Sequence, residues 1–140
     1  MKILSDTLIY NTTADTDIID ITPEVAERVR GSGIEQGFVN LFVPGSTGAL
    51  TTIEFESGAI SDLKDAIERM APKDIPYAHN LRWGDGNGYS HVRAALLGPS
   101  LQVPIIAGNL ALGTWQQIVL CDFDNRPRQR RVLLQLVGEV

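Results

Sequence analysis

Apolar positions alternate or run together near both ends of the chain and recur at helical spacing in its middle. Runs rich in β-branched residues at 2–10 and 16–21, and further runs after residue 100, predict strands. After Ser57-Gly58, apolar residues at every third or fourth position from Ile60 to Met70 predict an amphipathic helix that Pro72 ends. This order of about eight strands and about three helices predicts an α+β fold with a mostly antiparallel sheet system.

Local signals bound a second helix. Thr22 before Pro23 is typical of a helix start, where the threonine side chain caps free N–H groups, and Gly31 and Gly33 are typical of a helix stop. Near the C-terminus, two strand-like runs at 114–124 and 130–137 flank a short turn segment. We therefore expect the last two strands to pair as a hairpin.

Length and composition narrow the class of protein. With 140 residues, of which 44% are hydrophobic and 21% charged, the chain is predicted to be a single domain, residues 1–140, with its own core. The net charge of −5 disfavours binding to nucleic acid, because an acidic surface repels phosphate backbones. The single cysteine, Cys121, lies in an apolar run and fits a reducing compartment. Since no window approaches a membrane span, a cytoplasmic protein is expected.

The segment 77–100 contains both histidines of the chain and several glycines. His79 is expected in a loop, and His91 twelve positions later on a short helix predicted from Asn87 to Leu97. Imidazoles transfer protons near neutral pH and bind zinc-like ions, although this spacing matches no compact zinc motif. Two structural histidines hydrogen-bonded in a loop are the alternative. The candidates for a third metal ligand are Glu54, Asp85 and Cys121.

Two glycine-containing loops are candidate binding segments. The loop Gly84-Asp85-Gly86-Asn87-Gly88 resembles a phosphate-cradling loop in composition, and Arg82 upstream could pair with a phosphate oxygen. It lacks the lysine of a Walker loop, so a plain tight turn is the alternative. The loop 44–48 contains a serine in the wrong register for a nucleophile elbow, which disfavours a serine hydrolase.

Arginines and tryptophans complete the list of candidate groups. Four arginines lie close together near the C-terminus, Arg126, Arg128, Arg130 and Arg131. Asp122 and Asp124 lie across the predicted hairpin turn, so exposed ion pairs are favoured over an anion site. Trp83 and Trp115 are predicted to be packing groups, with Trp83 the better candidate for stacking on a ligand ring.

Three segments together resemble one known family. They are VPGSTGALTTIE at 43–54, YAHNLRWGDGNGYSHVRAALLGPSL at 77–101 and LALGTWQQIVLCDFDNRPRQRRVLLQLVGE at 110–139. On these segments the chain is identified as a member of the YjbQ family, also called UPF0047. The resemblance implies an α+β sandwich, a homotrimer and a secondary thiamine-phosphate synthase activity.

The resemblance also implies a set of site residues. Positions that match the family's motifs are Thr47, Glu54, Tyr77, His79, Asn87 and His91, whereas Gly45 stands where the family has a histidine. The implied reaction joins a pyrimidine diphosphate to a thiazole phosphate and releases pyrophosphate. In that reaction His79 and His91 would bind a divalent metal ion, zinc or magnesium, or protonate the leaving group, and Glu54 would orient a metal-bound water or an amine. The groups expected to bind the phosphorylated ligand are Arg82, Gly84, Asp85, Gly86, Asn87 and Thr47.

A second hypothesis comes from another class of protein. The chain could bind a metal ion or a small phosphorylated molecule without catalysis. Gly45 favours this alternative, because a site that breaks no bond tolerates the loss of an imidazole more easily.

Overall fold

Two antiparallel sheets and a layer of helices bury the apolar positions of the chain. The computed structural model describes all residues from Met1 to Val140. The strands are β1 (Lys2–Asn11), β2 (Asp17–Asp20), β3 (Gln36–Phe42), β4 (Gly48–Ile53), β5 (Ser100–Ile106), β6 (Asn109–Leu110), β7 (Gln117–Asp122) and β8 (Gln129–Glu139). The helices are α1 (Thr22–Ser32), α2 (Ser57–Met70), α3 (Ala78–Trp83) and α4 (Gly88–Leu97). The predicted α+β fold with mostly antiparallel sheets is confirmed.

The strands form a five-stranded sheet in the order β1-β8-β3-β5-β6 and a three-stranded sheet in the order β2-β7-β4. Every strand pair is antiparallel. The main core lies between the two sheets and α1, where Leu41, Leu120 and Leu134 are almost fully buried. A second cluster, which includes Ile67 of α2 and Ala94 of α4, covers the other face of the small sheet. The three-stranded sheet is therefore the middle layer of the molecule.

The predicted hairpin of the last two strands is wrong. β7 is the central strand of the three-stranded sheet, with β2 and β4 on its two edges, whereas β8 pairs with β1 and β3 in the other sheet. The residues from Ile118 to Cys121 are fully buried, since both faces of β7 are covered. Such a continuous apolar run is typical of a central strand, and its two neighbours leave no free edge for β8.

Two local predictions about helices also need correction. Thr22 does not cap α1, because its hydroxyl accepts a hydrogen bond from the N–H of Ile118 at 2.8 Å. The chain has four helices, and the additional one, α3, is only six residues long. Its composition of His79, Arg82 and Trp83 beside a glycine turn gave no apolar periodicity to detect. Of the two predicted stops, Gly33 ends α1 in a left-handed conformation with φ of 72°, whereas Gly31 lies inside the helix.

None of the four helices has both the length and the apolar content that crossing a bilayer requires.

Candidate functional site

The two histidines meet where α3 approaches the first turn of α4. The ring centroids of His79 and His91 are 4.4 Å apart, and the rings are tilted by 43°. The Nδ1 atom of His79 lies 3.4 Å from Oδ1 of Asp85, but it makes no hydrogen bond. The side chain of His79 remains 30% exposed. The pair is therefore held against the protein and can still be reached from solvent.

A glycine lets the two helices come this close. A Cβ atom added at Gly88 would lie 2.6 Å from Cβ of Tyr77, so no larger residue fits between α3 and α4. The N–H of Gly88 donates to Oδ1 of Asn80 at 2.9 Å, which ties the start of α4 to α3. Gly84 ends α3 in a left-handed conformation with φ of 64°. The glycine turn thus sets the separation of the imidazoles.

Under the histidines lies a network of buried carboxylates and arginines. Asp122 is fully buried and accepts two hydrogen bonds from Arg130, from Nε at 2.8 Å and from Nη2 at 2.9 Å. Asp124 is 1% exposed and accepts from the hydroxyl of Thr47 at 2.9 Å and from the amide of Asn87 at 3.3 Å. Nη2 of Arg128 lies 3.1 Å from the same carboxylate. These contacts fix the loop before β4 and the start of α4 on the end of β7.

The hydrogen bonds also set the protonation of Asp124. Burial alone raises the pKa of this carboxyl, but the hydrogen bonds from Thr47, Arg128 and Asn87 outweigh it, so the pKa is lowered from its ordinary value. Asp124 is consequently a carboxylate at neutral pH. It acts as the fixed anion to which the surrounding donors point.

Two predicted ligand-binding residues belong to this network. The hydroxyl of Thr47 donates to Asp124 and accepts from Arg130. The side chain of Asn87 donates to Asp124 and accepts from Ser90 and from the N–H of Asn125. Both residues are buried and their polar atoms are occupied. The structure therefore assigns Thr47 and Asn87 to support of the site and not to contact with a ligand.

The glycine turn is not an open phosphate cradle. The N–H groups of Gly84, Asn87 and Gly88 already donate to acceptors within the chain. One of these acceptors is the carboxylate of Asp85, which would also repel an anion approaching the turn. The residues Gly84, Asp85 and Gly86 are exposed at its tip. Three of the five backbone amides of this turn are therefore already occupied, and phosphate binding by the turn stays a prediction.

Two other predicted residues lie outside the histidine pair. Glu54 is exposed just beyond the far end of β4. At the ordinary rise of a strand, about 20 Å separates it from Gly48, which lies beside the histidines. Glu54 therefore does not converge with the histidines of its own chain. Arg82 is exposed on α3, with its guanidinium 5.7 Å from the centre of the Trp83 ring.

A solvent-reachable hollow of about 230 Å³ opens beside His91. Gly45, Ser46 and Gly48 line one side of the hollow. His91 and Ala94 of α4 line another side, and no carboxylate is among the lining residues. The site thus combines a small concavity with an imidazole at its wall.

A sequence profile described as "UPF0047 protein YjbQ-like" matches residues 6–139. The chain belongs to this family. A UPF0047 protein of Methanothermobacter thermautotrophicus is 39% identical over 139 residues, which are 99% of this chain and 95% of that protein. The UPF0047 protein YugU of Bacillus subtilis is 35% identical over 133 residues, which are 94% of this chain and 98% of that protein.

Solved structures resemble the UPF0047 chain closely. A YbjQ-like protein of unknown function from Sulfolobus solfataricus matches with a TM-score of 0.93 and 32% identity over 99% of both chains. An uncharacterised YjbQ/UPF0047 protein from Clostridium acetobutylicum matches with a TM-score of 0.86 and 33% identity, over 94% of this chain and 99% of that one. The α+β architecture is therefore shared with this UPF0047 family.

The side chains of this UPF0047 member do not fit a divalent metal centre within one chain. No group of three or more histidine, cysteine, aspartate or glutamate side chains is placed to hold an ion. A catalytic zinc ion takes three protein ligands, and the close pair His79 and His91 would supply two. Of the candidate third ligands, Cys121 is buried in β7 and Glu54 is at the far end of β4. Asp85 lies beside His79 but completes no group of three ligands with the two histidines.

Sequence reasoning missed the buried arginine of this UPF0047 site. Asp122 and Asp124 do pair with arginines, but Arg130 is 7% exposed and its ion pair with Asp122 is buried, not on the surface. The available signal was the position of Asp122 and Asp124 at the end of the apolar run from Ile118 to Cys121. The two tryptophans were predicted to be packing groups and are exposed instead. Trp83 is 66% and Trp115 is 73% exposed, so neither is a packing group.

Proposed function

We propose that this chain binds a small phosphorylated molecule in the hollow beside His91, and that the imidazole pair protonates a departing phosphate group. The observation that carries the proposal is the 4.4 Å separation of the two imidazole rings next to a hollow of about 230 Å³. Imidazole changes charge near neutral pH, so it can both attract an anion and donate a proton to it. The absence of a carboxylate from the lining favours an anionic ligand.

The specific reaction that we propose is a transfer of the thiamine-phosphate synthase type. In that reaction the thiazole nitrogen forms a bond to the methylene carbon of the pyrimidine diphosphate, and the carbon–oxygen bond to pyrophosphate breaks. The bonding electrons leave with pyrophosphate, and an imidazolium proton can neutralise the oxygen that carries them. His79 and His91 would supply that proton. The family resemblance and the imidazole pair support this assignment.

Two exposed groups on α3 support a ring-binding part of the site. His79 and Trp83 are four positions apart on the same helix and thus on one side of it. The indole of Trp83 is 66% exposed, which leaves a face free to stack on a planar ring. The exposed guanidinium of Arg82 can pair with a phosphate oxygen at the rim. We propose Trp83 and Arg82 as contacts for a pyrimidine or thiazole ligand.

A second candidate function is binding of one phosphorylated molecule, or of a metal ion, without catalysis. The size of the hollow favours this alternative. Its volume of about 230 Å³ is less than that of a usual small-molecule site, about 300–1,000 Å³, and two substrates need more room than one. A transferase would therefore need walls contributed by a second copy of the chain, which could also bring the missing ligands for zinc or magnesium.

A homotrimer is part of the same proposal. The outer face of the five-stranded sheet carries apolar side chains that no helix covers. Ile3, Ile9, Phe42 and Ile106 on this face are 64%, 59%, 40% and 54% exposed. An apolar face of this kind is typical of a surface that contacts another protein. Sedimentation equilibrium tests the assembly, with a trimer mass as the expected result and a monomer mass as the contradicting one.

The cytoplasmic location that we propose rests on the cysteine of the chain. Cys121 is buried and unpaired. Burial raises its pKa to about 12, so the thiol stays protonated and inert. A single unreactive thiol is compatible with a reducing compartment.

The test compares the wild type with a His79→Ala/His91→Ala double variant. Thermal unfolding is measured with phosphorylated pyrimidines and thiazoles, and turnover is measured with the diphosphate and the thiazole phosphate together. A ligand that binds the native state raises the unfolding temperature, so a shift that the double variant loses supports the site. Lys64→Ala, an exposed change on α2, is the control.

Each result assigns the chain to one class. Wild-type turnover that the double variant lacks supports transfer, and unaltered turnover removes the histidines from the mechanism. A wild-type shift without turnover supports binding alone. Elemental analysis of the purified protein tests the metal prediction separately.

A further inference from the structure

Arg130 has one nitrogen that the buried network does not use. Its Nε and Nη2 atoms donate to Asp122, and Nη2 also donates to the hydroxyl of Thr47. Nη1 makes no hydrogen bond within the chain, although only 8% of the side chain is exposed, and it is not one of the buried atoms that lack a partner. This nitrogen is therefore reached by solvent, and an acceptor in the hollow can take a hydrogen bond from it.

Glycines determine where this free nitrogen lies. A Cβ atom added at Gly45 would lie 2.9 Å from Nη1 of Arg130. A Cβ atom added at Gly48 would lie 3.5 Å from Nε of the same side chain. Both glycines line the hollow beside His91. The guanidinium therefore lies directly against the wall of the hollow, at the position where a side chain of residue 45 would otherwise stand.

The surrounding cluster is short of acceptors. Arg128 and Arg130 face two carboxylates, Asp122 and Asp124, so the formal charges balance. Even so, Nε of Arg128 is buried without a hydrogen-bond partner, whereas the unused Nη1 of Arg130 is reached by solvent. Two arginines of one cluster thus each keep an unused donor. An additional anion would supply the missing acceptors, whereas a divalent cation would be repelled by the guanidinium groups.

We infer that Arg130 is the anion-binding residue of the hollow, and that its Nη1 reaches a small tetrahedral oxyanion, such as the phosphate of a monoester, through the gap at Gly45. Ser46 and His91 complete the contacts from the lining of the hollow. The inference rests on the proposed function and adds to it the group that holds the phosphate. It also accounts for the poor fit to a metal. Gly45 stands where the family has a histidine, and the guanidinium of Arg130 lies where the side chain of residue 45 would begin.

The experiment uses inorganic phosphate as the probe and calorimetry as the measurement. Gly45→Ala places a methyl group against Nη1 and should weaken binding of phosphate by roughly ten-fold or more, the value of one charge-assisted hydrogen bond. Gly33→Ala is the matched control, because Gly33 also has a positive φ, of 72°, and lies at the opposite end of β3. It should bind phosphate as the wild type does.

Two further measurements keep the inference testable if Gly45→Ala unfolds the chain. Arg130→Lys keeps a positive charge beside Asp122 but has no second nitrogen to reach Gly45, so it should also lose affinity for phosphate. In the wild type, the Nε–H signal of Arg130 is protected by its bond to Asp122 and can be followed by NMR. It should shift as phosphate is added.

The outcomes separate this inference from the proposed function. If folded Gly45→Ala binds phosphate like the wild type and the Arg130 signal does not move, Arg130 is not the anion-binding residue. The proposed function still stands in that case, provided that His91→Ala weakens the binding. A wild type that binds no phosphate contradicts both. Binding that is lost on Gly45→Ala and Arg130→Lys, with a shifted Arg130 signal, supports the inference.

Discussion

Replacement of Asp124 by asparagine should weaken the fold at the point where the site is anchored. Asp124 lies at the end of β7, where its Oδ2 atom faces three donors, from Thr47 at 2.9 Å, Arg128 at 3.1 Å and Asn87 at 3.3 Å. The amide has nearly the same shape as the carboxylate. Asp124→Asn therefore changes charge and hydrogen bonding and leaves packing almost intact.

The magnitude follows from one lost acceptor and the lost charge. The asparagine oxygen keeps most bonds at the Oδ2 position, which turns the new NH₂ group towards the N–H of Arg126, 3.2 Å from Oδ1. A donor left without a partner costs about 1–3 kcal/mol. The three bonds at Oδ2 lose the charge of the carboxylate, and the guanidinium of Arg128 loses its ion pair. We expect a loss of roughly 3–5 kcal/mol in the free energy of unfolding.

The pH dependence gives an independent check of the cause. Because the pKa of Asp124 is lowered in the folded state, its stabilisation is complete above the ordinary value of 3.8 and is lost as the pH falls through the lowered value. Protonated Asp124 resembles asparagine in its hydrogen bonding. The difference in stability between wild type and variant should therefore be largest above about pH 5 and shrink in stronger acid.

Urea unfolding followed by circular dichroism, at fixed protein concentration, measures both quantities. Asp62→Asn is the control, since Asp62 is an exposed aspartate of α2 that makes no ion pair. It should leave the unfolding curve unchanged. A loss below about 1 kcal/mol for Asp124→Asn, within the range of ordinary substitutions, would refute the role given to the buried network.

Three further changes test other parts of the structure. Gly88→Ala should destabilise the chain by roughly 2 kcal/mol or more in thermal unfolding, because its Cβ would lie 2.6 Å from that of Tyr77, and it should reduce contacts between the two histidine rings in NMR spectra. Gly31→Ala has no atom within 4 Å of the added Cβ and should stabilise α1 by about 0.5–1 kcal/mol; a loss would contradict the open space assigned there. Tyr89→Phe removes the hydrogen bond that, more than any other cause, lowers the pKa of Asp15. Tyr89→Phe should lower the free energy of unfolding by about 1 kcal/mol near neutral pH and by less in acid. An equal loss at both pH values would mean that the hydrogen bond to Asp15 is not its cause.

Much of the fold could be predicted because its signals are local. The helical spacing of apolar residues from Ile60 to Met70 and the Gly-Pro stop after Leu97 indicated α2 and α4 to within a few residues. The partners of β7 and β8 could not be predicted in the same way. Strand pairing depends on which faces are buried in three dimensions, and the hairpin suggested by proximity in sequence competed with longer-range partners.

The site was harder to predict than the fold. His79 and His91 were singled out by residue type, but their contact depends on Gly88, whose small size matters only once α3 and α4 are packed. Glu54 was included because of its place in a motif, and one strand length separates it from the histidines. Arg130 was taken for a surface residue, since nothing in a cluster of arginines shows which of them is buried.

The most direct test of the account is to observe the imidazole rings while pyrophosphate is added. The chain has only two histidines, so the imidazole nitrogen signals in an NMR spectrum report on this site alone. We expect the signals of His79 and His91 to shift together and to saturate at one concentration of pyrophosphate. Histidine signals that stay unchanged at every concentration of pyrophosphate, even where the rest of the spectrum changes, would contradict binding at the two imidazoles.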